Sequence, residues 1–115
     1  MADVPNGDLL DRVAKDFADD RDVAMGTMFR SPGLRVGGKI FAFLGRRGEL
    51  IVKVPSDRVR ELIATGRAER VVMGNRAMRE WIELPALGDR TATLALWRDV
   101  AREAHQYVGS LRRPS

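Results

Sequence analysis

Residues 34–55 read LRVGGKIFAFLGRRGELIVKVP, and the placing of glycines among apolar residues in this stretch decides the fold class. Gly37-Gly38 stands between two apolar runs and supplies the two positive-φ positions that a two-residue hairpin turn requires. Leu34 to Val36 lead into the turn and Lys39 to Leu44 return from it. Gly45-Arg46-Arg47-Gly48 makes the next reversal, and Glu49 to Val54 alternate until Pro55, which has no N–H to give to a ladder. The result is an antiparallel meander. With Val36 opposite Lys39, Leu34 falls opposite Phe41, and period-2 alternation assigns Leu34, Val36, Phe41, Phe43, Leu50, Val52 and Val54 to one face. The other face receives Arg35, Ile40, Ala42, Leu44, Glu49, Ile51 and Lys53, a mixed surface.

Upstream, Met1 to Gly7 read as a flexible leader. Asp8 is placed to cap a helix in which Leu9, Leu10, Val13, Ala14 and Phe17 recur at helical spacing, ending at Phe17 or Ala18. Val23 to Phe29 form an opening strand, either continuous with the meander's first strand or separate from it. Downstream, Ser56 caps a short helix with Val59, Leu62 and Ile63 on its apolar stripe, closed by Thr65-Gly66. Arg70 to Met73 and Trp81 to Leu84 are strand candidates joined by a loop over residues 74–80. Thr91 or Thr93 caps a long last helix carrying Leu94, Trp97, Ala101, Ala104 and Val108 on one stripe and ending at Gly109. Hairpin-length links and the lack of a βαβ crossover predict a two-layer α+β sandwich. Its antiparallel sheet has about five strands with helices on one face, in the order α-β-β-β-α-β-β-α. A single domain spans residues 8–109, followed by a frayed tail at 110–115.

At 115 residues and 44% hydrophobic content, the chain has the size of one domain with one core. It has no cysteine, which excludes disulfides, thiolate nucleophiles and Cys-ligated metal sites and fits a reducing cytoplasm. No apolar run reaches the length of a membrane span. The net charge of +4 is unevenly spread: residues 1–22 hold seven acids against three bases, whereas the rest holds 17 bases against nine acids. A basic body attracts anionic partners, but charge alone is a footprint of non-specific attraction.

The chemistry-bearing residues are few. His105, the sole histidine, falls at the edge of the last helix's apolar stripe and reads as a flanking surface residue. No nucleophile elbow surrounds Ser31, Ser56 or Ser110, and no metal-ligand spacing occurs, so no catalytic, cofactor or metal residue is assigned. The glycines lead from strand to strand rather than into a helix N-terminus, which is hairpin chemistry and not a phosphate cradle. Arg46 and Arg47 project from one turn and Arg76 and Arg79 from another loop, which would make an anion-binding rim. Trp81 reads as core or as the lip of a groove.

The run TMFRSPGLRVGGKIFAFL from Thr27 to Leu44, with ELIVKVP, Gly66 and MREWIELP from Met78 to Pro85, resembles the TfoX N-terminal domain family. The MmcQ/YjbR-like proteins are a more distant likeness. The likeness covers roughly Asp8 to Tyr107 and departs from the family pattern at Arg30, where a Gly is usual after the Met-Phe pair. It implies an antiparallel sheet flanked by helices, and a regulatory role in DNA-uptake competence or transcription exerted through protein contacts, without enzymatic activity. The expectation is a cytoplasmic interaction domain acting on a protein partner or as a homodimer. Its interaction face would centre on Ile40, Ala42, Leu44 and Ile51, apolar and charge-rimmed. The alternatives are a nucleic-acid binder using the Arg-rich loops, and a small-ligand binder or enzyme with a pocket between sheet and helices.

Overall fold

The Gly37-Gly38 turn has φ of 59° and 83°, the mirror-image conformation that matches the twist of a hairpin. It joins β2 (Ser31–Val36) to β3 (Lys39–Leu44), and β4 (Leu50–Lys53) continues the meander. The computed structural model describes residues 6–28, 31–73 and 75–111, and at residues 27, 28, 31, 73, 76 and 77 the backbone alone. Residues 112–115 of the expected tail, and most of the expected leader, lie outside the described residues.

The sheet has six strands in the order β1-β2-β3-β4-β6-β5, every neighbouring pair antiparallel. One strand more is present than expected, because β1 (Val23–Met28) pairs with β2 along its whole length instead of continuing it. β6 (Arg76–Leu84) is also longer than its apolar half, running back from Trp81 through residues expected in a loop. Its first half carries Arg76, Arg79 and Glu80, so the strand was masked by charge where one side meets solvent. β5 (Glu69–Met73) forms the far edge.

The three helices of the described residues cover one face. α1 (Gly7–Lys15) packs on α3 (Arg90–Leu111) and on β2 and β3, while α2 (Ser56–Ala64) lies against β5 and β6. Their starts differ by a residue or two from expectation. Asn6, left-handed at φ 66°, precedes α1 and donates from Nδ2 to Gly48 O at 2.9 Å, leaving Asp8 inside the first turn with an ion pair to Arg90. Pro55 precedes α2, so Ser56 is its first residue. Asp89 caps α3, accepting from the N–H groups of Thr91 and Ala92 at 3.2 and 3.3 Å. Gly109 does not end α3, which continues to Leu111. α1 ends at Lys15, yet Phe17 is buried from the turn that follows.

The alternation of β3 departs from expectation at one residue, and this reassigns the sheet faces. Leu34 pairs with Ala42 and Arg35 with Ile40, so Phe41 is the extra residue of a β-bulge. A bulge turns two consecutive side chains toward the same side. Phe41 and Ala42 therefore both enter the helix-facing core, Leu44 follows them, and Phe43 is sent to the opposite face. Ala42 and Leu44, expected on the outer face, are fully buried beneath the helices, and Phe43, expected inside, is outside. Ile40 and Ile51 keep their expected outer positions, and Leu50, Val52 and Val54 their inner ones. Trp97, with no exposed surface, is the largest side chain in the main core.

Candidate interaction face

The face of the sheet opposite the helices carries a second, smaller apolar cluster. Phe43, Ile51 and Val71 form its buried centre, with Ile40, Met78 and Trp81 half-buried around them. The register explains the grouping: Phe43 is directly opposite Ile51, and Ile51 is opposite Glu83. Phe43 meets Trp81 edge-on, with centroids 5.8 Å apart at 66°. Lys53, opposite Trp81, lays its ammonium 5.9 Å from that ring's centroid and 3.8 Å from Glu80. Sequence reasoning found Ile40 and Ile51 of this cluster but missed Phe43, because the bulge that turns it outward depends on pairing with β2.

Charge of both signs borders the cluster. A Cβ at Gly45 would stand 2.4 Å from the Glu49 carboxyl carbon, so glycine there leaves the room into which Glu49 folds back over the turn. Glu49 is only 8% exposed; it accepts from the Arg47 N–H at 2.9 Å. The Arg47 guanidinium then lies 3.9 Å from Glu49 and 3.6 Å from Glu83. Burial pushes the Glu83 carboxyl above its ordinary pKa, as does repulsion from the Glu49 and Glu69 carboxyls, against the lowering effect of Arg47.

The four arginines expected to form an anion-binding rim are not gathered. Arg47 is occupied by two carboxylates at the Leu84 end of β6, and Arg46 beside it is exposed. Arg79 is exposed four residues back along β6, about 13 Å away at strand spacing, and Arg76 starts the strand about 23 Å away. The side chain of Arg76 lies outside the described residues.

His105 is not on the open surface. Its ring packs 4.9 Å from Phe17 and 5.4 Å from Phe41, and Nε2 shares a hydrogen bond with Asp20 Oδ2 at 2.9 Å. Asp20 accepts the Asp22 N–H on its other oxygen, so the pair ties the loop before β1 to α3. A hollow of about 320 Å³ lined by Asp20, Asp22, His105, Gln106 and Ser110 opens beside it. Ser110 Oγ donates to the Tyr107 carbonyl rather than to the histidine. A second hollow, about 400 Å³, is lined by Arg58, Glu61, Glu103 and Tyr107. Arg58 there donates to both oxygens of Glu103 at 2.7 and 3.1 Å and also meets Glu61, and Tyr107 donates to Glu80. Both hollows lie along α3 rather than between the layers, where Phe41, Leu50, Val52 and Trp97 fill the space. Sequence reasoning had no access to the His105–Asp20 pair, whose members are 85 positions apart.

Among the described residues, no group of three or more His, Asp or Glu is placed to hold a metal, and no helix is long and apolar enough to cross a membrane. Comparisons with protein-family models, with curated proteins and with solved structures returned no match.

Proposed function

We propose that this protein is a non-enzymatic interaction module that associates with a second copy of itself through the helix-free face of its sheet. The observation that carries the reading is the cluster of Phe43, Ile51 and Val71, with Ile40, Met78 and Trp81, on a face that no helix of the described residues covers. A two-fold contact brings the same patch against itself, so its border must be self-complementary. Here Arg47 with Glu49 and Glu83, and Lys53 with Glu80, put both signs of charge on the border of the apolar centre, so that either sign on one copy can meet the other sign on its partner. The likeness to TfoX N-terminal domains leads to the same class of function, regulation through protein contacts in the cytoplasm.

The test is mass in solution by light scattering at high micromolar concentration. Wild type is expected at twice the chain mass. Ile40→Glu with Met78→Lys, both at half-buried positions in this cluster, is expected to halve the mass and leave the circular dichroism spectrum unchanged. A wild type that stays monomeric overturns the reading. Binding to a generic DNA or RNA duplex that weakens steeply with salt would instead favour nucleic acid as partner.

A further inference from the structure

The two edges of the sheet, β1 and β5, are built differently. An edge strand offers backbone N–H and C=O groups to any extended chain that comes alongside, and charge or an irregular register is the usual guard. β5 has both: Glu69 and Arg70 are exposed on it, and its register shifts between Arg70 and Val72. β1 reads VAMGTM, without a charge or a proline, and its pairing with β2 runs in unbroken register over all six residues. Among the described residues, β2 is the one element that makes more than a passing contact with β1. The direction of the backbone groups follows from this pairing. The Gly37 N–H donates to the Asp22 carbonyl at 2.9 Å, and bonded pairs recur at every second residue of an antiparallel ladder. Ala24, Gly26 and Met28 therefore turn their backbone groups toward β2, and Met25 and Thr27 turn theirs outward. Pro32, which has no N–H, stands opposite Thr27, at a pair that needs none. Met25 is paired with Leu34 of the main core and so points to the helix side of the sheet, yet it is 46% exposed.

We propose that β1 is a second self-association surface, on which the β1 strands of two copies pair antiparallel about a two-fold axis through Met25 and join two sheets into one. In this register Met25 stands opposite Met25, Ala24 opposite Gly26 and Val23 opposite Thr27. The two Met25 residues exchange their outward backbone bonds, and each thioether covers the exposed apolar surface of the other. A second copy of β1 is the occupant that fits, because it brings an equally uncharged strand and the same exposed methionine, whereas β5 would bring Glu69 and Arg70 against them. The contact uses no residue of the outer cluster, which lies on β3 to β6. One strand against one strand is a small contact, so it joins copies at concentrations above those at which the outer face has paired.

The chain has no cysteine, so in Met25→Cys the one disulfide that can form joins two copies at position 25. Bonded neighbours on antiparallel strands have Cα atoms about 5.5 Å apart, within the span that a disulfide bridges. Concentrated full-length Met25→Cys, oxidised with copper phenanthroline, is expected to link at least about tenfold faster than Val72→Cys, which places an exposed cysteine on the β5 edge. Circular dichroism checks that both variants are folded. In the unsubstituted protein the Met25 N–H is expected to exchange with deuterium at least about tenfold more slowly in a concentrated sample than in a dilute one. Equal linking rates, or a faster rate for Val72→Cys, overturn the edge contact, and so does a Met25 N–H whose exchange ignores concentration. Ile40→Glu with Met78→Lys, added to Met25→Cys, is expected to leave the link in place, and its loss there overturns β1 as a surface of its own. A link that forms at position 25 while wild type stays monomeric by light scattering overturns the outer-face reading and leaves the edge contact standing.

Discussion

Phe43 stands on Gly33: the two residues are paired across β2 and β3, and a Cβ at Gly33 would come within 2.9 Å of Phe43 Cβ and 3.1 Å of the Ala42 carbonyl oxygen. The glycine is what allows an aromatic side chain to rise from the outer face at this point.

Gly33→Ala is therefore expected to destabilise by about 1–3 kcal/mol, since the contacts it would make are with backbone and a Cβ that cannot rotate away. Urea denaturation measures it. An unchanged midpoint would mean that Phe43 does not stand over Gly33.

The bulge at Phe41 gives the two phenylalanines of β3 different environments. Phe41→Ala empties a site in the main core and is expected to cost about 3–5 kcal/mol. Phe43→Ala opens only the thin outer cluster and is expected to cost clearly less. Equal losses in denaturation, or a larger loss for Phe43→Ala, would return Phe43 to the inner face.

How far the sequence reached is visible in these residues. The turn glycines, the α+β class and the inner positions of β4 could be read because a two-residue turn and a period of two are local properties. Ala42, Leu44 and Phe43 could not be assigned correctly, because a bulge is settled by which partner residue a strand skips, and that partner lies on another strand. The first half of β6 was hidden by its arginines, since periodicity reads polarity and not hydrogen bonding. Of the candidate face, Ile40 and Ile51 were legible. Val71, Met78 and Trp81 join them through the pairing of β4, β5 and β6, and Glu49 is buried in the room that Gly45 leaves.

Tyr107 is the only tyrosine, so its ionisation can be followed by ultraviolet absorbance without overlap. Its hydrogen bond to Glu80, with lesser help from burial, pushes its pKa up to about 12. The folded value exceeds the unfolded one. The contact therefore contributes its full stability below about pH 10 and loses it as pH rises through the folded pKa. Glu80→Gln is expected to bring the titration back toward the ordinary phenol range. A wild-type midpoint near 10 would show that the Tyr107–Glu80 bond does not form.

The account stands on the outer sheet face as the place where two copies meet, and Trp81 is the reporter built into it. Trp97 is fully buried, and its indole N–H has no acceptor among the described residues, so Trp97→Phe loses no hydrogen bond and leaves Trp81 as the sole tryptophan. The measurement is the fluorescence of that variant, with acrylamide quenching, as it is concentrated through the range in which its mass doubles. The account predicts that Trp81 emission shifts to shorter wavelength and its quenching falls in step with the mass. A doubling of mass that leaves Trp81 emission and quenching unchanged, or a mass that never doubles, would contradict it.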